Sequence, residues 1–273
     1  MDDIKIWDDV AENYEDDSYH GKNNNYPANK HRAKIILRFL SKLKKGKILD
    51  AGCGSGYIAR EVSKQGWDCT AIDLSRKMLK YARQKAVEEK IKHDIIHCSV
   101  LDMNIFENKK FDIIMLNGVL PYIKDESRVY KECYRTLKDN GYLITSQYNL
   151  FFDLFTFDKY TIELISQKLI NKVIVDKDIF NRYKAKLKKA ITAPQQPKSE
   201  KTMKSENPLI YKEKLKRYSF NEKKQFYYNF HILPPSFTTS EQINFRNKLE
   251  EKFYNKWQGL IFAKTFISVA RKV

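Results

Sequence analysis

Cysteine and histidine are both scarce. The four cysteines, Cys53, Cys69, Cys98 and Cys133, form no C-x-x-C pair, and the five histidines are scattered. This speaks against a disulfide framework and a zinc constellation, and leaves the cysteines as reduced core thiols. No cluster of acids suggests a magnesium site, so no metal is expected. No apolar run approaches the roughly 20 residues needed to span a bilayer. The opening text MDDIKIWDDVAENYEDD is acidic and lacks the basic-then-apolar layout of a secretion signal. The expected location is therefore the cytoplasm, with no membrane partner.

The chain has 273 residues, 42% of them hydrophobic, enough for one α/β domain with an insertion. Its formal net charge is +17 and is uneven. Residues 1–150 hold 26 basic and 22 acidic side chains, whereas residues 151–273 hold 25 and 12. A basic half suits nucleic acid, an acidic small substrate, or merely a lysine-rich solvated surface.

Residues 1–45 read as a helical arm. Within it, NKHRAKIILRFLSKL places Ile35, Ile36, Phe39, Leu40 and Leu43 at helical spacing. From about residue 46 to 148, strand and helix text alternates. KILDAGCGSG enters a glycine bend, CTAIDLS is a second strand, HDIIHCSV a third, FDIIMLNGVL a fourth and YLITSQYN a fifth. Gly141 reads as the stop of the helix ESRVYKECYRTLK. That alternation predicts a parallel sheet with helices on both faces. Residues 151–190 look helical, and 192–208, rich in proline and polar residues, read as an exposed loop. PLIYKEKLKRYSF reads as a helix, KKQFYYNFHIL as a strand, 239–256 as a helix and LIFAKTFISVARKV as a terminal strand.

Three of the nine glycines fall in Asp50-Ala-Gly52-Cys-Gly54-Ser-Gly56, between an apolar strand and a helix. Glycine there permits a sharp turn and close approach of a ligand to bare backbone. Strand two ends on Asp73, a carboxylate able to accept from both hydroxyls of a ribose. A dinucleotide fold uses G-x-G-x-x-G to cradle a pyrophosphate. Here the run is G-x-G-x-G with an acid two residues before it, which repels phosphate and suits an ammonium and a sulfonium. S-adenosylmethionine (SAM) carries both.

ILDAGCGSG, AIDLSRKMLKYAR and FDIIMLNGVLPYI, in this order over residues 46–147, resemble the class I SAM-dependent methyltransferase family, in its bacterial small-molecule style. The resemblance implies a Rossmann-like α/β fold: a seven-stranded, mostly parallel sheet with a helical lid insertion. The arm would be 1–45, the SAM-binding core 46–148, the lid 149–206 with its loop near 192–206, and 207–273 would complete the sheet. It also implies roles. Asp50 with Gly52 and Gly54 would hold the methionine part of SAM, and Asp73 the ribose. Leu74, Met78, Ser99 and Val100 would surround the adenine. Asn117 and Gly118 would line the methionine tail, and Tyr14 would close over the cofactor. Many relatives carry Asp where Ser99 stands; Asp102 is the nearest acid. S-adenosylhomocysteine is the implied product.

For the acceptor, a small molecule is expected, a sugar or another secondary metabolite among the candidates. A hydroxyl nucleophile needs a base. His231, in YYNFHILPP, and His20, in the arm, are the candidate catalytic residues; His93 and His97 are poorer ones. Phe151, Phe152, Phe155, Phe157 and Tyr160 would line or pack the lid. Alternatives are a nucleic-acid methyltransferase using the basic half, a non-catalytic SAM-binding protein, and a nicotinamide-dependent dehydrogenase. Against the first, Asn117-Gly-Val-Leu-Pro121-Tyr122 is not the contiguous N-P-P-Y that stacks a flipped base.

Overall fold

The computed structural model describes residues 2–22, 26–166, 177–191, 204–231 and 243–273. Residues 167–176 of the expected helical segment, 192–203 of the expected loop, and 232–235 and 239–242 of the C-terminal readings lie outside them. The chain packs as two compact units. The first comprises residues 1–147, 209–226 and 266–273, the second 148–208 and 227–265.

The first unit opens with α1 (Asp2–Val10), a π-helical turn (Asp16–His20) and α2 (Ala28–Leu40). Strands and helices then alternate: β1 (Lys47–Ala51), α3 (Tyr57–Lys64), β2 (Asp68–Asp73), α4 (Arg76–Glu88), β3 (Asp94–His97), β4 (Phe111–Leu116), a 3-10 turn (Leu120–Tyr122), α5 (Glu126–Thr136) and β5 (Leu137–Asn149). A second 3-10 turn (Leu150–Leu154), α6 (Lys159–Glu163), α7 (Lys177–Ala190) and the two-residue β6 (Ser205–Glu206) belong to the second unit. After α8 (Tyr211–Lys216) and β7 (Phe220–Phe230) come α9 (Ile243–Phe253), α10 (Gly259–Phe262) and β8 (Ala263–Lys272).

The sheet order is β3-β2-β1-β4-β5-β8-β7, with β6 paired to β5. The pairings of β1 through β6 are parallel, as continuous apolar strands such as KILDA and FDIIML require when both faces are covered. Ile48, Leu49, Ile72, Ile113 and Ile114 are buried, each contributing about 1.5–3 kcal/mol relative to exposure. The chain winds outward from β1 to β3 and then returns to lay β4 on the other side of β1. That reversal is the switch point where open α/β sheets bind ligands, at the carboxyl ends of the strands.

One expectation is corrected. Gly141 does not stop α5; it lies within β5. A Cβ there would stand 2.8 Å from Leu137 Cγ and 2.9 Å from the carbonyl oxygen of Asp112, so close approach across the β4–β5 bulge demands glycine. In the segment 207–273, β7 and β8 join the main sheet, and residues 227–265 fall in the same compact unit as 148–208. β7 and β8 each run from one unit into the other.

Asp112, read as fold support, accepts from the Lys47 N–H at 2.8 Å and from Lys138 Nζ at 2.9 Å. All four cysteines are free and buried. Among the described residues, no group of three or more His, Cys, Asp or Glu is placed to hold a metal. No described helix is long and apolar enough to cross a membrane.

Candidate functional site

The glycine bend leaves β1 at the switch point. Gly52 and Cys53 both donate backbone N–H to the carbonyl of Ile72, at 2.8 and 2.9 Å, tying the bend to the end of β2. Gly52 has φ +80° and Gly54 φ +54°, conformations that side chains with a Cβ resist. A Cβ at Gly52 would also run into Cγ2 of Val119. Gly52→Ala is therefore expected to distort the bend. It should weaken ligand binding by about tenfold, equivalent to about 1–3 kcal/mol of backbone strain, measured by calorimetry.

Asp73, at the tip of β2, spans the bend and the next helix. Its Oδ2 accepts from Gly54 N–H at 2.9 Å and its Oδ1 from Ser75 N–H at 2.8 Å. Burial pushes its pKa up, and the backbone donors pull against that. Ser75 caps α4 by accepting from Met78 N–H at 3.0 Å. Met78 is thereby buried, while Leu74 stays 42% exposed.

Asp50 is almost wholly buried. Its Oδ1 accepts from Nδ2 of Asn117, just past the end of β4, at 3.5 Å. Burial lifts its pKa to about 7; Asn117 and the charge of Arg32 lower it, and Asp73 raises it. Asn117 Oδ1 is buried without a hydrogen-bond partner. Gly118 donates its N–H to Ser146 Oγ at 2.7 Å.

The arm closes the constellation. Tyr14 accepts from Asn29 Nδ2 at 3.2 Å, and its Cε1 lies 3.5 Å from where a Cβ of Gly54 would stand. Trp7 meets Tyr14 and Tyr122 edge-on, with centroids 6.1 and 5.1 Å apart. Arg32 was not singled out in the sequence. It is 4% exposed, donates to Tyr19 OH at 3.4 Å, and has Nη1 3.0 Å from a Cβ built on Gly118. Its signal was present: Arg32, Ile36 and Leu40 follow at i, i+4 and i+8, placing a charge on the buried stripe of α2.

Ser99 and Val100 lie beyond β3, in a short bridge of Ser99 with Asp102. Ser99 Oγ accepts from Leu101 N–H at 3.1 Å. Asp102 is half exposed, with Arg128 at 4.0 Å. His20 is largely exposed, 3.8 Å from Glu15 Oε1. Thus Tyr14, Asp50, Gly52, Gly54, Asp73, Leu74, Met78, Ser99, Val100, Asn117 and Gly118 all belong to the first unit, with Arg32 and His20. His231 belongs to the second. There its pKa is held down near 2, by burial first and then by the charges of Arg246 and Lys264.

The donor set fits one ligand chemistry. A buried acid and an unpartnered amide oxygen suit an ammonium. Arg32 suits a carboxylate, and Asp73 suits vicinal hydroxyls. Gly52 and Gly54 leave the backbone bare between them.

Comparison with known proteins agrees. A methyltransferase domain model matches residues 49–145. The ubiquinone biosynthesis O-methyltransferase of Xanthomonas oryzae pv. oryzae is 31% identical over 103 residues, 38% of this chain and 43% of that protein. That of Pasteurella multocida is 32% identical over 112 residues, 38% and 46% of the two chains. The chain thus spans less than half the length of these curated relatives. Among solved structures, an S-adenosylmethionine dependent methyltransferase from Mesorhizobium loti superposes with TM-score 0.53 at 17% identity, covering 88% of this chain and 98% of that one. Magnesium protoporphyrin IX methyltransferase from Synechocystis, with bound S-adenosylhomocysteine, gives 0.53 at 14% identity, covering 90% and 84%. Likeness at that identity concerns the fold.

Proposed function

Residues 49–145 belong to the class I SAM-dependent methyltransferase family, and from that premise we propose that the chain transfers the methyl group of SAM to an oxygen or nitrogen of a small molecule. The observation that carries the reading is the convergence of Asp50, Asp73, Asn117 and Arg32 on one glycine bend. In it, Asp50 and Asn117 hold the ammonium of SAM and Arg32 its carboxylate. Asp73 holds the ribose. Leu74, Met78, Ser99 and Val100 flank the adenine, and Gly118 and Tyr14 enclose the methionine tail. SAM supplies an electrophilic methyl on a sulfonium; the protein's task is to orient the nucleophile and exclude water.

The acceptor side is proposed for residues 149–206, with His231 as the side chain of that unit that touches the acceptor; His20, in the arm, is the other candidate catalytic residue. A sugar, a phenol or another secondary metabolite fits this reading, and the cytoplasm is its place. The relatives named for ubiquinone biosynthesis favour an oxygen nucleophile. The test is transfer of radiolabelled methyl from SAM to a panel of phenols, sugars and amines, with labelled product in at least one class expected. Tight SAM uptake with no product in any class would favour a non-catalytic SAM-binding protein. Methylation of nucleic acid is the second reading, favoured by the net charge of +17; RNA uptake that persists at physiological salt would support it.

Arg32→Met is expected to weaken SAM binding by about tenfold or more, the loss of a charge-assisted carboxylate contact. Calorimetry should show this while decarboxylated SAM, which lacks that carboxylate, binds both proteins alike.

A further inference from the structure

The surroundings of His231 decide which of its nitrogens carries the proton. Arg246 Nη2 lies 3.2 Å from His231 Nε2. A guanidinium has donors only, so Nε2 accepts and the single proton of the neutral ring sits on Nδ1. Arg246 is held there. Its Nε donates to the carbonyl of Phe230 at 2.7 Å and its Nη2 to Asn229 Oδ1 at 2.7 Å. From the same helix, Glu250 Oε1 accepts the Phe230 N–H at 2.9 Å. The backbone N–H of His231 is fixed on the carbonyl of Phe262 at 2.9 Å.

Nδ1 itself has no hydrogen-bond partner, and the residue is 7% exposed. Leaving a buried donor unpaired costs about 1–3 kcal/mol, and such a group needs an explanation. The neighbours supply one. The ring of Phe152 lies 5.0 Å from the imidazole, with Phe155 5.9 Å from Phe152 and Phe262 5.2 Å from Phe155. Phe152 is thus the ring against the imidazole, and Phe155 and Phe262 extend the aromatic cluster away from it.

We propose that His231 is a fixed hydrogen-bond donor, through Nδ1–H, to an oxygen of a phenolic acceptor bound against Phe152 and Phe155. The proposal rests on the methyltransferase reading only in naming that ligand as the acceptor. A base at this position would have to take a proton onto a ring that already faces a guanidinium; a donor needs no change of charge.

The test is nuclear magnetic resonance of the full chain with ¹⁵N-labelled histidine, titrated with phenol and, as a control without oxygen, toluene. The neutral Nδ1–H tautomer is expected from pH 8 to pH 5, with its resonance shifted by phenol and left in place by toluene. Asn places an amide N–H near the former Nδ1. His231→Asn should therefore bind phenol within about threefold of the native chain, and His231→Phe at least about tenfold more weakly. An Nε2–H tautomer, an imidazolium at pH 6, an unmoved resonance, or equal phenol binding by His231→Phe would overturn the proposal. Calorimetry with SAM on the same proteins reads the parent reading separately. Failure of SAM uptake sinks that reading while the histidine result still decides this one.

Discussion

Asp73→Ala is expected to weaken SAM binding by at least about a hundredfold while the chain stays folded. Two charge-assisted hydrogen bonds to ribose hydroxyls, at about 1.5–3 kcal/mol each, set that magnitude. The same carboxylate also accepts from Gly54 and Ser75 N–H, so the variant loses part of what shapes the bend. Asp73→Asn separates the two effects. It leaves one oxygen to accept from a backbone N–H but removes the charge, and should fall between native and Ala. Calorimetry with SAM and with its 2′,3′-dideoxy analogue checks this: the analogue should bind all three proteins weakly, and its much smaller loss from native to Ala reads the bend alone. Unchanged SAM affinity in Asp73→Ala would mean that the ribose contact is misassigned.

SAM affinity is expected to fall about thirtyfold between pH 8 and pH 5.5, through Asp50. Burial raises that carboxyl to about 7, with Asn117, Arg32 and Asp73 around it. An ammonium placed beside it favours the carboxylate, so SAM uptake releases a proton, and below about pH 7 that proton must first be removed. Asp50→Asn should bind SAM weakly and with a flat profile over the same range. The stability signs follow from the same shifts. The raised pKa of Asp50 gives stability that is full below 3.8 and lost as pH rises through about 7. Asp50→Asn should therefore melt higher than the native chain at pH 8. His231 works the other way: its depressed pKa gives stability present above 6.5 and lost as pH falls toward 2.

The donor half of this site was legible because its residues are close in sequence to the strand ends that place them. Asp50 lies at the end of β1 and Gly52 follows it, Asp73 ends β2, and Asn117 follows β4; period and punctuation reveal strand ends, and parallel topology brings them to one edge. Arg32 escaped because helix α2 reaches the site by tertiary packing, and its buried arginine was hidden among lysines and arginines that are solvated. Gly141 was misread because close backbone approach and helix termination both select glycine. The division of β7 and β8 between two units left no mark on the alternation of their side chains. The tautomer of His231 depends on Arg246, fifteen residues away on α9, which no local pattern connects to it.

The central claim is that the Asp50–Gly56 bend, with Asp73 and Arg32, is shaped for SAM. The most direct measurement is isothermal calorimetry of SAM into the native chain at pH 8, with circular dichroism establishing that the sample is folded. One SAM per chain, displaced competitively by S-adenosylhomocysteine and not by a nicotinamide dinucleotide, is the predicted result. A folded chain that takes up no SAM, or that prefers the dinucleotide, would contradict it.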